Sequence, residues 1–568
     1  MRKLSYLLLF TYLIVTSCGS GDDLSEKKAN GGAAYGGTFR FKSSEKIATL
    51  LPVSSSSIYT QRVASQIFET LLTLDPESEK VIPGLAESYS VNSTATIFTF
   101  KIRKGVKFHE DDCFSGESKE LTAVDIKNTL DFACSKTIEN EVYWMLVNVI
   151  KGAKNNYNAS KKGIISKGVS GIKVVNANTL TIELEYPFIG FDKLLAHRSL
   201  GVFPKEAFDK YGDEIGRHPV GTGPFMLEDW DEEKITLTRN SNYWKKDEFG
   251  NQLPFLGGIE ITYAKDKKSE LMAFRNKEID LVLQIPAEEI DNVLGSLADA
   301  QAGKNVKHKI DSKASLSTAY YGLANASEPF NNSDVRKAFN LAIDRNYLIN
   351  NWMQGDGYPC VNGFVPAMGD YDDTKIIGNS FDVAKAKELI ARAGYPNGAG
   401  FPKISLYVNT KEGSVIHKLA LGVLKQLKEN LNINIPIKLC SIDERDKAIL
   451  NGEAKFWRGG WIADYPDPEN FLNLFYSKNI GSNSAISNPF RYKNTSFDNT
   501  LEMAMKESNP IKRTKYFMQC DQQIVDEAVV MHLYHADFMT MINNRVKNFH
   551  TNSTEIIDCS RIFIREAK

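Results

Sequence analysis

The sequence predicts an α/β protein with more than one lobe, and a repeated strand–helix–strand rhythm is the main evidence. Residues 259–263, 269–277 and 279–283 alternate as strand, helix and strand. Such a unit favours two parallel strands joined by a right-handed crossover. The same rhythm returns at 404–408, 415–430 and 433–439. Because a long stretch of chain separates the two units, we expect them to belong to two different α/β lobes.

Length and composition agree with this fold class and exclude several functions. The 568 residues are 42% hydrophobic and 24% charged, which is enough for a large core and more than one lobe. The formal net charge is −1, without a long Lys/Arg-rich run, so no nucleic-acid partner is expected. The eight histidines do not cluster, and His109 with Cys113 lacks a second ligand pair, so we expect neither a metal nor a cofactor.

The first 36 residues have the composition of a leader and a tether. Arg2 and Lys3 precede an apolar run at 4–15, which is too short to span a bilayer core of ~30 Å as a helix. Residues 1–18 are therefore predicted to be a signal peptide. Residues 19–36 have almost no large apolar side chain and are predicted to form a flexible tether.

Local patterns predict the elements that follow. Residues 37–41 alternate like an opening strand, and 59–74 carry an apolar stripe with helical spacing. Residues 169–185 are predicted to form two strands around a short turn, and 529–538 a late strand. Thr122 is a candidate N-cap for a helix, with Asp125 placed near the positive helix end.

The run 457–472 has the most unusual composition in the chain. It holds two Trp, one Arg, two Asp, two Gly and two Pro. That density of Gly and Pro predicts a loop, since neither a helix nor a central strand tolerates it well. The aromatic residues favour burial, and buried charges such as Arg458 and Asp464 need partners.

Two hypotheses explain these charges. In the first, Arg458 and Asp464 pair with each other or with helix ends, and the Trp residues belong to the core. In the second, the run lines a dry cleft, and the two charges receive the two ends of a zwitterionic ligand.

The same run resembles a known family segment. Gly459-Gly460-Trp461-Ile462-Ala463-Asp464-Tyr465-Pro466-Asp467-Pro468-Glu469-Asn470-Phe471 is similar to the G-W-x-A-D-Y-x-x-P-x-x-F-L segment of the family 5 extracellular solute-binding proteins. These proteins are the peptide, dipeptide and nickel receptors of ABC importers. The resemblance implies that Asp464 holds a ligand α-ammonium and that Arg458 holds a ligand carboxylate. It implies ligand contacts for Trp457, Trp461 and Tyr465 as well.

Further blocks resemble the family in the right order, from about Gly37 to the C-terminus. They are 83–133, 219–244, 335–345 and 386–398, and Val15-Thr16-Ser17-Cys18 resembles a bacterial lipobox. Gly221 and Gly223 in the second block lack the third Gly or the Lys-Ser/Thr of a phosphate loop, so a structural turn is expected. The sequence departs from the family pattern at two places: Pro466-Asp467-Pro468 is stiffer and more acidic, and the loop at 110–120 is longer.

The resemblance implies a periplasmic-binding-protein-like fold of type II, cluster C: a two-lobe cleft with an additional smaller subdomain and hinge crossovers. We expect the hinge near 319–323 and 530–535. The expected divisions are lobe I at 37–76, 198–318 and 530–568, lobe II (the extra subdomain) at 77–197, and lobe III with the anchoring loop at 319–529.

The function implied is that of a monomeric substrate-binding lipoprotein. It would capture short peptides, deliver them to the permease subunits of an ABC importer, and be lipid-anchored to a bacterial membrane through Cys18. A nickel chelate, haem, glutathione or an oligosaccharide is an alternative ligand, and a sensory or chaperone-like use is a further alternative. No enzyme is expected, because G-x-S-x-G, H-E-x-x-H and P-loop motifs are absent from the sequence.

Six cysteines remain after Cys18, and export makes disulfides possible. Cys113 with Cys134 and Cys360 with Cys440 are candidate pairs, with Cys520 and Cys559 left over, but the sequence does not decide the pairing. His532 and His535 are expected on opposite faces of a strand, which disfavours chelation.

Overall fold

A computed structural model describes residues 27–54, 57–116, 118–136, 140–160, 168–285, 308–353, 357–480 and 488–565. The predicted signal peptide and Cys18 lie outside these residues. Three sheets of seven, four and six strands form the centres of three lobes. Within these residues, the α-helices are Ile58–Ile67, Ala123–Ala133, Tyr143–Leu146, Ala153–Ala159, Phe191–Leu195, Lys205–Tyr211, Lys267–Arg275, Ser333–Leu341, Arg345–Trp352, Val383–Arg392, Val415–Leu431, Ile442–Leu450, Pro468–Leu472, Thr495–Lys506 and Pro510–Asp526.

Lobe I contains the seven-stranded sheet. Its strands, in spatial order, are Phe225–Trp230, Lys234–Arg239, Gly258–Tyr263, Thr38–Ser43, Leu281–Leu283, Asp537–Asn543 and His308–Ala314. Gly258–Tyr263 and Leu281–Leu283 both run parallel to Thr38–Ser43, one on each side of it. Helix Lys267–Arg275 connects them, which confirms the first predicted strand–helix–strand unit.

Lobe II contains an antiparallel four-stranded sheet. Its strands, in spatial order, are Ala86–Val91, Ile97–Ile102, Thr179–Glu183 and Ile172–Asn176. The last two form the hairpin predicted at 169–185. Thr122 is the N-cap of helix Ala123–Ala133, as predicted, and Asp125 completes a capping box with it.

Lobe III contains the six-stranded sheet. Its strands, in spatial order, are Tyr358–Pro359, Val530–His535, Ser317–Leu323, Phe456–Ile462, Leu406–Asn409 and Ile437–Cys440. The last two are parallel and are joined through helix Val415–Leu431, which confirms the second predicted unit.

The prediction of a loop over the whole run 457–472 is wrong at both ends. Phe456–Ile462 is a central strand. It tolerates Gly459 because the ring of Tyr320, on the neighbouring strand, fills the place of a side chain there and lies 2.3 Å from an added Cβ. Pro468–Leu472 is a short helix with Pro468 in its first turn, where a missing N–H is tolerated, and Asp467 caps it.

The chain passes between lobes I and III at points slightly different from those predicted. Residues 319–323 and 530–535 lie within strands of the lobe III sheet, so 530–535 does not belong to lobe I. The chain crosses between the two lobes at 315–316 and at Ala536. Ala536 divides the late strand predicted at 529–538 into two strands. The backbone N–H of Ser315 donates to the carbonyl of Ala536 at 3.0 Å, so the two crossings are in direct contact.

Two local predictions need correction near the N-terminus. Part of the predicted tether is folded: Lys27–Lys28 pairs with Ala34–Tyr35, and Asn30 and Tyr35 bond to the 251–252 segment of lobe I. The helix predicted over 59–74 ends at Ile67, and Leu72–Leu74 is a strand paired with Val81–Pro83. None of the helices in the described ranges has the length and apolar character required to cross a bilayer.

Candidate functional site

The site is built on the strand Phe456–Ile462, which we call the anchor strand. One edge of the anchor strand pairs antiparallel with all of Ser317–Leu323. On its other edge, only Phe456 and Trp457 pair, with Leu406 and Tyr407. Within the part of the chain that the structure describes, the edge from Arg458 to Ile462 faces no other strand. We call this stretch the open edge.

Alternation along the strand decides which backbone groups the open edge presents. Ala463 donates its N–H to Leu316 O at 2.7 Å, so odd-numbered residues face the Ser317–Leu323 strand. Arg458, Gly460 and Ile462 therefore turn their N–H and C=O groups outward. Gly460 is exposed, and a Cβ placed on it would meet no atom closer than 3.8 Å. The carbonyl of Arg458 already accepts a hydrogen bond from Arg445 Nη1 at 3.3 Å. Gly460 and Ile462 therefore carry the outward backbone groups with which an extended chain can pair.

Asp464 lies two residues beyond the anchor strand, and its side chain is 12% exposed. Its Oδ2 lies 3.1 Å from His197 Nε2, and its backbone N–H donates to Asn470 Oδ1 at 3.3 Å. Burial acts to raise the pKa of Asp464, but His197, Arg198 and Asn470 outweigh burial and hold that pKa below its usual value. Asp464 is therefore an ionised carboxylate in a nearly dry position.

Arg458 lies on the same strand face as Gly460, and its guanidinium reaches over that glycine. The guanidinium makes no hydrogen bond or ion pair with any described residue. Across the gap, Glu45 of lobe I has a raised pKa, because burial outweighs the attraction of Arg445 and Arg458. Arg458 therefore points into the space between lobes I and III with its donors available.

The two tryptophans lie on the opposite strand face. Trp457 is fully buried, stacks on Phe490 with ring centroids 6.0 Å apart, and packs against Gly322. Trp461 is partly buried, and its Nε1 donates to Asn470 Oδ1 at 2.8 Å. The structure therefore places Trp457 in the core, as the first hypothesis for this run has it, and brings Trp461 toward Asp464 through Asn470.

Tyr465 stabilises the loop from its buried side. It is buried, and its hydroxyl donates to Glu469 Oε2 at 2.6 Å. Burial raises the pKa of Glu469 to about 7, against the hydrogen bond from Tyr465. Tyr465 thus holds the helix that follows the loop.

Sequence reasoning missed the residues that face this loop from lobe II. His197 contacts Asp464, and Lys193 Nζ lies 2.6 Å from Asp467 Oδ2. Arg513 binds both oxygens of Asp467, at 2.8 and 3.1 Å. Burial acts to raise the pKa of Asp467, but Arg513 and Lys193 overcome it and hold the pKa far below its usual value. His197 and Lys193 lie far from the loop in the chain, so no local signal could reveal these contacts.

The other polar residues considered from sequence have structural surroundings. His109 is buried between the backbones of Gly221 and Gly223, and a Cβ on Gly221 would lie 2.0 Å from Ile67 O. These glycines therefore serve close packing in a turn. Neither candidate disulfide forms, since Cys113, Cys134, Cys360, Cys440, Cys520 and Cys559 are all free thiols. The described residues contain no cluster of three or more His, Cys, Asp or Glu side chains suited to a metal ion.

Comparison with known proteins gives consistent results. The family described as bacterial extracellular solute-binding proteins, family 5 Middle, matches residues 80–483. The glutathione-binding protein GsiB of Salmonella choleraesuis (strain SC-B67) is 27% identical over 489 residues, covering 84% of this chain and 85% of GsiB. The oligopeptide-binding protein OppA of Bacillus subtilis (strain 168) is 26% identical over 544 residues, covering 93% and 92%.

Solved structures show the same architecture. The periplasmic binding protein DppA of Helicobacter pylori, in complex with the peptide STSA, superposes with a TM-score of 0.80 at 23% identity, covering 94% of this chain and 99% of DppA. A periplasmic oligopeptide-binding protein of Borrelia burgdorferi superposes with a TM-score of 0.78 at 25% identity, covering 93% and 100%. The predicted two-lobe binding-protein fold is confirmed, and the chain belongs to the family 5 bacterial extracellular solute-binding proteins.

Proposed function

We propose that this protein captures short peptides between lobes I and III for uptake by an ABC importer. The open edge is the observation that carries the proposal. An extended peptide can add to it as a further strand, and such backbone hydrogen bonds do not depend on side-chain identity. Asp464 and Arg458 flank that edge with opposite charges, which suits the two termini of a peptide. The peptide-binding names of several relatives support the same ligand class.

The spacing of the two charges favours ligands of a few residues. The Arg458 guanidinium reaches the level of Gly460, four residues before Asp464. A strand rises ~3.4 Å per residue, so the two charged groups are separated by at most about 14 Å along the edge. A peptide of about three to five residues spans that distance in an extended form.

Glutathione is a second candidate, because GsiB relatives are 26–28% identical to this chain over most of its length. Glutathione carries a free ammonium and two carboxylates on a short backbone. Both charged groups of the site could engage it, whereas its γ-linkage would reduce its match to a strand edge.

Delivery and attachment complete the proposal. The receptor passes its ligand to the permease subunits of the importer, acts as a binding protein rather than an enzyme, and works as a monomer. The lipobox at 15–18 supports attachment to a bacterial membrane through a lipid on Cys18. The soluble lobes would then operate in the periplasm or on the outer membrane face.

Native mass spectrometry on the soluble chain from Lys27 tests the ligand class. The protein is unfolded, freed of co-purified ligand, refolded and mixed with an equimolar pool of peptides of two to eight residues. Retention of masses for three to five residues is expected. Failure to retain any peptide, together with a mass shift from glutathione, a nickel chelate or haem, would keep the fold and contradict the proposed ligand.

A further inference from the structure

Arg198 is a cation close to Asp464, and no carboxylate of a described residue forms an ion pair with it. It begins the short turn Arg198–Leu200, and its side chain is partly buried. Its Nη2 donates a hydrogen bond to Thr554 Oγ1 at 2.8 Å. Burial lowers the pKa of Arg198 to about 10, against the attraction of Asp464, so the guanidinium remains charged at neutral pH.

The contacts around Arg198 place it next to Asp464. On one side, the preceding residue, His197, lies 3.1 Å from Asp464 Oδ2. On the other side, the hydroxyl partner of Arg198 belongs to the segment 552–554. A carbonyl of that segment accepts the N–H of Leu316 at 2.8 Å, and Leu316 O accepts the N–H of the residue directly before Asp464 at 2.7 Å. Arg198 and Asp464 are therefore held near each other from two directions without touching.

Two opposite charges that are close but separate suit the head group of an amino acid. A partly buried guanidinium is costly without an anion, and a ligand carboxylate would supply one with matching planar geometry. A free amino-acid head carries an ammonium and a carboxylate on the same carbon, so it can bind Asp464 and Arg198 together. In an α-linked peptide, the first peptide bond uses up that carboxylate. In a peptide that begins with a γ-linked glutamyl residue, the carboxylate stays free.

We propose that Arg198 is a specificity-determining residue that selects peptides whose first residue keeps a free carboxylate beside its ammonium, as a γ-linked glutamyl residue does. This inference rests on the proposed function, because Asp464 has to hold the ligand ammonium. The carboxylate at the far end of the ligand remains with Arg458, so the ligand is bound at three charged points. An ordinary α-linked peptide uses only two of them.

The other charges near Arg198 do not take its place. Three nearby charged residues each have a partner of opposite charge: Arg62 with Glu555 at 3.2 Å, Glu69 with Lys245 at 3.2 Å, and Glu79 with Lys313 at 2.8 Å. Arg198 lines a cavity of about 140 Å³, which has room for a carboxylate and a few waters of ~30 Å³ each. Asp75 and Asp558 also line this cavity, so a ligand carboxylate is favoured only at the end that Arg198 occupies.

The test compares two ligands that differ by one carboxylate, using isothermal titration calorimetry at pH 7.5. One ligand is γ-glutamyl-alanyl-glycine. The other is 4-aminobutyryl-alanyl-glycine, which has the same backbone and ammonium but lacks the carboxylate beside the ammonium. The wild type is expected to bind the γ-glutamyl ligand about tenfold or more tightly, since a hydrogen bond between charged groups is worth about that factor.

Three variants assign the preference to Arg198. Arg198→Met should bind the two ligands alike, and Arg198→Lys should keep part of the preference, because it retains the charge but not the planar fork. Arg239→Met is the matched control. Arg239 is also partly buried with a lowered pKa, but it lies in the strand Lys234–Arg239 of lobe I and donates to Gln252 O at 3.4 Å. It should keep the full preference.

Each outcome has a distinct meaning. Equal affinities of the wild type for the two ligands would overturn the inference and leave peptide capture standing, and this comparison requires no variant. A preference that persists in Arg198→Met, or that Arg239→Met also loses, would overturn it as well. If Arg198→Met fails to fold, an undiminished preference in Arg198→Lys would overturn it. Failure of the wild type to bind both ligands and a free-amine α-linked tetrapeptide would overturn the proposed function too.

Discussion

The contact of Lys193 with Asp467 joins lobes II and III, which makes it a test of closure. Lys193 lies on helix Phe191–Leu195, which packs on the lobe II sheet through Phe191 and Phe98. Asp467 belongs to lobe III and is 1% exposed. Because lobe II meets lobe III only through non-covalent contacts, rotation about the crossings at 315–316 and Ala536 has to break this ion pair. We therefore expect it to stabilise the closed form.

The size of the effect follows from the geometry. Hydrogen bonds to charged groups are worth about 1.5–3 kcal/mol, and Lys193 is 31% exposed, so screening reduces the value to about 1 kcal/mol. Lys193→Met leaves Asp467 bound by Nη1 and Nη2 of Arg513, so no buried charge is left unpaired. A change of about 1 kcal/mol lowers the ratio of closed to open forms about fivefold. Ligand dissociation should accelerate by a similar factor.

Stopped-flow dissociation and small-angle scattering of the ligand-free protein measure the effect. Lys127→Met is the matched control, because Lys127 is 24% exposed and binds Asp131 at 2.8 Å within a single helix of lobe II. Lys127→Met should lower the unfolding midpoint slightly without changing dissociation. Equal dissociation rates for the two variants would refute the idea that Lys193 holds the lobes together.

Three further predictions concern the anchor strand and its loop. Folding raises the pKa of Glu469 from 4.5 to about 7, so its contribution to stability is present below pH 4.5 and is lost as the pH rises to 7. Glu469→Gln should therefore gain stability over the wild type at pH 8 but not at pH 4. An equal difference in thermal midpoint between the two proteins at both pH values would contradict this. Gly322→Ala places a Cβ 2.1 Å from the Trp457 ring and should cost about 1–3 kcal/mol in chemical denaturation. Gly460→Ala makes only ordinary van der Waals contacts, at 3.8 Å or more, and should cost little. Equal denaturation midpoints for the two variants would contradict the packing argument. Arg458→Met should weaken binding of free-acid peptides about tenfold or more but spare their C-terminal amides, and equal loss for both in calorimetry would remove Arg458 from the carboxylate role.

Much of the fold could be predicted because its signals are local. The two strand–helix–strand units depend on hydrophobic periodicity within short windows, and the Thr122 capping box depends on two residues three positions apart. These features form in the structure without depending on contacts with residues that are distant in the chain.

The anchor strand could not be predicted in the same way. Its glycines suggest a loop, but Gly459 is required by the ring of Tyr320 on the neighbouring strand, more than 100 residues away in the chain. Tertiary packing thus overrides the local preference. The predicted helix over 59–74 fails for a similar reason, since Gly221 and Gly223 pack against the backbone of Ile67 where the helix ends.

For the same reason, only some residues of the candidate site could be predicted from the sequence. Asp464 and Arg458 could be identified from one motif. Their surroundings could not, because His197 and Lys193 come from another lobe and carry no motif of their own. Trp457 shows the reverse case: the motif suggests a ligand contact, whereas the alternation of the strand turns its ring into the core.

Recognition of a ligand ammonium by Asp464 is the central claim, and one calorimetric comparison tests it most directly. A tetrapeptide with a free N-terminus and its N-acetylated form are titrated into the wild type and into Asp464→Ala. The account predicts that either change alone costs about 2–5 kcal/mol and that both together cost little more, because each removes one partner of the same contact. Retained affinity of Asp464→Ala for the free-amine peptide would contradict it.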